Sequence, residues 1–271
     1  MLKTNYHTHT SRCGHAIGTD EEYVQKAIQG GLKTLGFSDH TPYKIPYDRE
    51  RMRYEQYDDY KDSILSLKKK YADQINIYLG LEVEYYPSEW EDLTRYRKEM
   101  DYCIMGQHYL SFQGINSYHI SDADTLFKYV EVLDKGGASN LADYIAHPDV
   151  ILYGWQNIND SSLPLAGEKI ADISLKYNLP LELNCGGVKR GMKEYSSGLR
   201  YPYPTRVFFE QFAKKHCPII IGLDVHDPDL FLTDKDLNNA LEAVEGLDLN
   251  ILYDYDLISE AKKRKKLFFQ G

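Results

Sequence analysis

Residues 76–84 read NIYLGLEVE, and this stretch decides the fold. Ile77, Leu79, Leu81 and Val83 alternate with Tyr78, Gly80, Glu82 and Glu84. A period of two puts the aliphatic residues on one face of a β-strand and the two carboxylates on the other. Helical period flanks it on both sides, at 55–71 and after Ser88-Glu89-Trp90-Glu91, which has the spacing of a capping box. The same rhythm runs along the chain. Short apolar runs at 3–8, 34–38, 101–106, 143–146, 180–185 and 218–223 are bounded by Gly, Pro, Asp or Asn, as strands are. Thr19-Asp20-Glu21-Glu22 opens a helix that Gly30-Gly31 stops, and 124–135, 164–177, 203–216, 234–245 and 257–266 read as further helices. Strands alternating with helices predict an α/β fold with a parallel sheet. Seven such units favour one closed β/α barrel domain over 1–271, with a C-terminal helical extension. The stretches 41–54, 111–123 and 186–202 read as long loops over a site.

Composition narrows the function. The 271 residues carry 32 Lys plus Arg against 41 Asp plus Glu, a net charge of −9, which disfavours nucleic acid as a partner. No apolar run approaches the ~18 residues of a membrane span. The start, MLKTNYHTHT, has no signal-peptide hydrophobic region, and Cys13, Cys103, Cys185 and Cys217 form no C-x-x-C pair. A cytoplasmic protein with ordinary thiols is expected. P-loop, nucleophile-elbow and dinucleotide motifs are absent from suitable settings, which removes NTPase, serine hydrolase and dinucleotide chemistry.

The histidines carry the chemistry. His7 and His9 end the first strand, His40 follows the second, His108 the fourth, His147 the fifth and His226 the seventh. In a parallel barrel those ends share one rim. His7 points with His9, and Asp224 with His226, because each pair is two residues apart. Imidazoles beside carboxylates form a site for first-row divalent ions such as Zn, Mn or Fe, and so many imidazoles on one rim are costly without a partner for their lone pairs. Several divalent ions together suit hydrolysis of a phosphate ester, with amide hydrolysis as the next choice. His119 and His216 have no such setting and read as structural or surface residues.

N-Y-H-T-H (5–9), G-H-A-x-G-T (14–19), F-S-D-H-T-P (37–42), G-L-E-V-E-Y (80–85), G-Q-H-Y (106–109), A-H-P-D (146–149) and G-L-D-V-H (222–226) resemble the polymerase and histidinol phosphatase family, most of all its stand-alone histidinol-phosphatase branch. The resemblance implies a distorted seven-stranded TIM-like barrel and a trinuclear metal centre. It implies one ion on His7, His9, Glu82 and Asp224, a second on Glu82, His108 and His147, and a third on His15, His40 and His226. His15, and Glu82 rather than Glu84 as the bridge, rest on the resemblance alone. The implied reaction is hydrolysis of L-histidinol phosphate by a metal-bridging hydroxide, with Glu82, Asp224 and His226 as catalytic residues and the small phosphate ester as the partner. Within the family a nucleotide phosphatase or nuclease is the alternative. A metal-dependent amidohydrolase lacks the expected strand-end lysine, and a polymerase-recruiting or metal-buffering domain is at odds with the full ligand set. The family often has Asp where this chain has Asn5, a position expected to orient a ligand.

The segment E-L-N-C-G-G-V-K-R-G (182–191) resembles the family's phosphate-holding segment. Lys189 and Arg190 match best, Arg200 and Arg206 lie further along, and Asn184 is expected to face the substrate. Among 24 tyrosines, Tyr43, Tyr47 and Tyr109 fall on rim loops. The run Lys262-Lys263-Arg264-Lys265-Lys266 reads as a solvated helix end. No coiled coil or swapped element specifies an oligomer.

Overall fold

The alternating stretch forms a strand, Asn76–Val83, whose aliphatic face lies in the main hydrophobic core. A computed structural model describes residues 2–45, 49–253 and 255–270. In chain order its elements are β1 (Thr4–Asn5), α1 (Asp20–Gln29), β2 (Thr34–His40), α2 (Tyr57–Lys70), β3 (Asn76–Val83), α3 (Trp90–Glu99), β4 (Tyr102–Met105), α4 (Ala123–Ala138) and β5 (Tyr144–Ile145). Then follow α5 (Ser162–Tyr177), β6 (Leu181–Asn184), α6 (Gly186–Lys189), β7 (Lys193–Tyr195), β8 (Gly198–Arg200), α7 (Arg206–Lys214), β9 (Pro218–Gly222), α8 (Lys235–Ala243), β10 (Asn250–Ile251) and α9 (Leu257–Phe268).

All seven expected strands are present in one parallel sheet, ordered β1-β2-β3-β4-β5-β6-β9-β10. The count of seven is corrected to eight: β10, only two residues long, pairs with Pro218 and Ile219 and is too short to leave an alternating signature. Beyond that pairing β9 turns to the other end of the sheet. The His9 amide donates to the Val225 carbonyl (2.9 Å) and the Val225 amide to that of His7 (3.1 Å), so the curled sheet brings the segments that follow β1 and β9 together.

Other differences have local causes. The stretch 186–202 is not irregular but holds α6 and the β7–β8 hairpin. The Thr19 capping box forms, with mutual bonds between Thr19 and Glu22. The Ser88 box does not: Pro87–Glu89 makes a 3-10 turn and α3 starts at Trp90 without a side-chain cap. Outside the sheet, helices cover the aliphatic face. Inside, Tyr102, Ile104, Tyr144 and Ala146 form a second cluster, to which α9 adds Leu257, Ile258 and Ala261. The basic run at 262–266 divides: Lys262, Lys263 and Lys266 are exposed as a solvated helix end, whereas Arg264 donates to the Tyr177 and Asn178 carbonyls and Lys265 to that of Met100. Among the described residues no helix is long and apolar enough to cross a membrane.

Candidate metal centre

The carboxyl ends of the strands bring seven histidines, Glu82 and Asp224 to one cleft. His9 stacks on His226 with centroids 4.1 Å apart and lies 4.3 Å from His40, while His15 lies 4.6 Å from His226. On the other side His108 is 5.0 Å from both His40 and His147. Glu82 sits between them: its Oε2 is 3.0 Å from His40 Nδ1 and 3.5 Å from the Nε2 of His7 and of His9. Its Oε1 is 2.7 Å from His147 Nε2 and 3.4 Å from His108 Nε2. Asp224 Oδ1 is 3.3 Å from His9 Nε2 and 3.7 Å from His7 Nε2. Ligand atoms gather within 4.8 Å of one another in the sets His7-His9-Asp224, His7-Glu82-His147, His9-His40-Glu82 and His15-His40-His226.

Lone pairs are left over. His7 Nε2, Glu82 Oε2, Asp224 Oδ1 and His226 Nε2 are buried without a hydrogen-bond partner. Burial resists charge on all these groups, yet the histidines His108, His40 and His7 hold Glu82 well below the usual carboxylate range, and His7, His9 and His226 do the same for Asp224. Against the same burial, Glu182, Asp224 and Glu82 raise His7 well above the ordinary imidazole value, and Asp224 and Asp39 raise His9 to about 9. Burial and the neighbouring His9 push His15, His40 and His226 down. Two buried carboxylates thus stay ionised and draw positive charge into the cluster. Neutral imidazole lone pairs stand beside them to receive it.

Sequence reasoning missed the groups that orient these rings. Glu182, on β6, accepts from His7 Nδ1 (2.8 Å) and from the His147 amide (2.8 Å). Asp39 lies 3.6 Å from His9 Nδ1, and Glu84 lies 3.5 Å from His108 Nδ1. Arg51 in turn grips both oxygens of Glu84, at 2.9 and 3.2 Å. Glu182 fixes Nδ1 of His7 and leaves its Nε2 toward Glu82 and Asp224, while Asp39 and Glu84 set negative charge beside the Nδ1 atoms of His9 and His108. A charged residue within an aliphatic strand, Glu182 in LELN, was the available signal. Two glycines make room. A Cβ at Gly106 would fall 1.7 Å from Glu82 Oε1, and one at Gly222 would fall 1.7 Å from Glu182 Oε1. His147 (φ 28°) and Asp224 (φ 51°) take left-handed backbone where the chain leaves its strand, a strain common at functional sites.

The expected substrate residues divide. Lys189 and Arg190, at the end of α6, line the cleft of about 210 Å³. Lys189 donates to the Asp224 carbonyl, and Arg190 lies 5.9 Å from the Tyr118 ring. Asn184 is corrected: it lies beneath the cleft, donating to Glu182 Oε2 (2.7 Å) and accepting from the Gly186 amide (2.6 Å), because the turn into α6 uses its side chain. Arg200 is also corrected. Its guanidinium donates to the carbonyls of Leu152, Trp155, Tyr201 and Pro202, and it is absent from the cleft wall. Arg206 instead pairs with Glu210 on the outside of α7. Asn5 holds backbone rather than a ring: it donates to the His7 carbonyl (2.9 Å) and accepts from the Leu223 amide (2.9 Å). Tyr109 lines the cleft with Tyr118 and Tyr203, Tyr43 is buried against Tyr86 and Phe112, and Tyr47 lies outside the described residues. The Cys13 thiol lies within 4.8 Å of ligand atoms of His9 and His226, and burial pushes its pKa up.

Comparison with known proteins agrees with this geometry. A family model described as the PHP domain matches residues 5–186. The histidinol-phosphatase of Bacillus subtilis is 31% identical over 258 residues, covering 83% of this chain and 94% of that protein. A Deinococcus radiodurans protein named as a probable histidinol-phosphatase is 31% identical over 232 residues, covering 82% of this chain and 85% of its own. Among solved structures, the histidinol phosphate phosphatase of Lactococcus lactis, complexed with zinc, L-histidinol and phosphate, shares the fold at a TM-score of 0.69 and 15% identity, covering 93% of this chain and 95% of that one. With its histidine and carboxylate motifs gathered at one end of a curled parallel sheet, and two relatives of near-equal length, the chain belongs to the PHP domain family.

Proposed function

We propose that this protein is a metal-dependent phosphatase that hydrolyses L-histidinol phosphate to L-histidinol and phosphate. The observation that carries the reading is the convergence of unpartnered buried atoms, His7 Nε2, Glu82 Oε2, Asp224 Oδ1 and His226 Nε2, on one cleft. Such atoms are costly unless a cation takes their lone pairs. His7, His9, Glu82 and Asp224 would hold one divalent ion, Glu82, His108 and His147 a second, and His15, His40 and His226 a third. Bound there, Zn, Mn or Fe supplies an activated water and offsets phosphoryl charge. The chain's own residues do the rest. Glu82 bridges the two halves of the histidine cluster, and Asp224 and His226 shape its open side. Lys189 and Arg190 stand at the mouth as cations for the phosphate, and Arg190 suits a bidentate grip. The names of the two relatives at 31% identity support the substrate. The same reading takes 1–271 as one distorted β/α barrel domain in which α9 is the C-terminal extension.

Phosphate release tests this directly, with Mn or Zn added and with phenyl phosphate and a nucleoside 3′,5′-bisphosphate run beside L-histidinol phosphate. A clear preference for histidinol phosphate is expected. Preference for the bisphosphate would replace the substrate with a nucleotide. In the same assay Glu82→Ala is expected to lose bound metal and activity together. Full turnover by that variant would exclude the bridging role.

A further inference from the structure

The cleft is electrically lopsided. Its cationic side is Lys189 and Arg190, which follow β6. Its third cation, Arg51, is committed to Glu84 by a two-pronged bond. Among the described residues three carboxylates line the wall: Glu82 and Asp224 lie within the histidine cluster, and Glu50 stands at the mouth. Glu50 comes from the loop after β2, across the sheet from β6, and lines the same cleft as His15.

The position of Glu50 is built rather than incidental. Arg51, its neighbour, is only 7% exposed, and its guanidinium also packs over the Tyr43 ring at 5.5 Å and donates to the Thr41 carbonyl. An anchor this deep fixes the preceding residue of the loop at the rim. Glu50 itself remains exposed, with its side chain on the cleft wall.

L-Histidinol phosphate has the matching polarity, with a dianionic ester at one end and an amine and an imidazole at the other. With the ester drawn toward the histidine cluster and Lys189 and Arg190, the cationic end points to the rim. We propose that Glu50 is the specificity-determining residue that receives the cationic nitrogen end of the substrate, held in place by the Arg51–Glu84 anchor. This rests on the reading of the protein as a histidinol phosphatase and adds a residue for the part of the substrate that is not phosphate. Complementary charge across a cleft selects partners more than it adds raw affinity, so the signature is a change of preference.

The experiment compares wild type, Glu50→Gln and Glu50→Lys on L-histidinol phosphate and on phenyl phosphate, which has no cation. It also measures inhibition by L-histidinol and by inorganic phosphate, with metal content determined for each protein. The expected result is a roughly tenfold fall in the kcat/KM ratio of histidinol phosphate to phenyl phosphate for Glu50→Gln, and a larger fall for Glu50→Lys. L-Histidinol should weaken as an inhibitor while phosphate does not, at unchanged metal content. If both variants keep the wild-type ratio, or lose activity on the two esters in parallel, the role of Glu50 is overturned and the phosphatase reading stands. If wild type itself shows no preference for histidinol phosphate, the substrate reading fails first.

Discussion

Glu182 lies in the middle of β6 among buried aliphatic residues, with its own side chain fully buried. A carboxylate there is stable only because donors surround it: His7 Nδ1, the His147 amide, Asn184 Nδ2 and the Tyr144 hydroxyl. By accepting a hydrogen bond from His7 Nδ1 it leaves Nε2 facing Glu82 and Asp224. Residues in this supporting position commonly change metal affinity by about 10–100-fold when altered. Glu182→Gln keeps the shape and removes the charge, so metal affinity is expected to fall within that range. Competition with a chromophoric chelator measures it, and affinity equal to wild type would show that the His7 ring is held by packing alone. Alanine at Gly222 would drive a Cβ into Glu182 Oε1 and disturb the same bond from below.

Elements are set by their ends. The Thr19 box works because Thr19 is extended and Glu22 is the third helical residue, whereas Pro87 commits the chain near Ser88 to a tight turn. The C-terminal helix α9 has its own cap: Asp256 accepts from the Ser259 amide (3.1 Å) and hydroxyl (2.6 Å). Those two bonds hold the Asp256 carboxyl below its ordinary pKa. A depressed pKa means that the cap stabilises above the unfolded value and is lost as pH falls through the folded one. Asp256→Ala is therefore expected to cost about 1 kcal/mol at pH 7. Thermal melts should show that difference shrinking as the pH drops below about 4, the unfolded carboxyl value. A difference that persists at acid pH would mean that the cap bond is not its source.

At the scale of the whole molecule, one buried ion pair ties the layers together. Arg97 on α3 donates twice to Asp143 before β5, at 2.6 and 2.7 Å, and both side chains are essentially buried. Asp143 also accepts from the Cys103 amide of β4, and Arg97 reaches the Ala261 carbonyl of α9. Helix, sheet and C-terminal helix thus meet on one pair. Removing a single partner strands a buried charge, which typically costs about 3–5 kcal/mol. Arg97→Ala is expected to lose that much in urea unfolding. Arg97→Met combined with Asp143→Leu is expected to lose less, since neither charge of the pair is left facing the other's vacancy and only Arg264, 3.9 Å from Asp143, gives up a carboxylate. Equal losses in the two would assign the cost to packing.

Features that repeat or alternate along the chain were legible from the residues. Seven of the eight strands were legible, because alternation and bounding turns are local. So was the placement of six histidines at strand ends, and same-face spacing paired His7 with His9 and Asp224 with His226. His15 and Glu82 as the bridge came from motif resemblance, since nothing in a loop histidine or in the choice between Glu82 and Glu84 is locally special. Only the tertiary structure decided the rest. Arg200, read as a substrate group, is consumed by the Leu152 and Trp155 carbonyls from elsewhere in the chain, and Asn184 is turned away from the cleft by Glu182 and the Gly186 amide beside it. Glu182, Asp39 and the Arg51–Glu84 pair act across the sheet on histidines up to 175 residues away. A hydrogen bond depends on where two strands end in space, and spacing along one strand does not encode its neighbour.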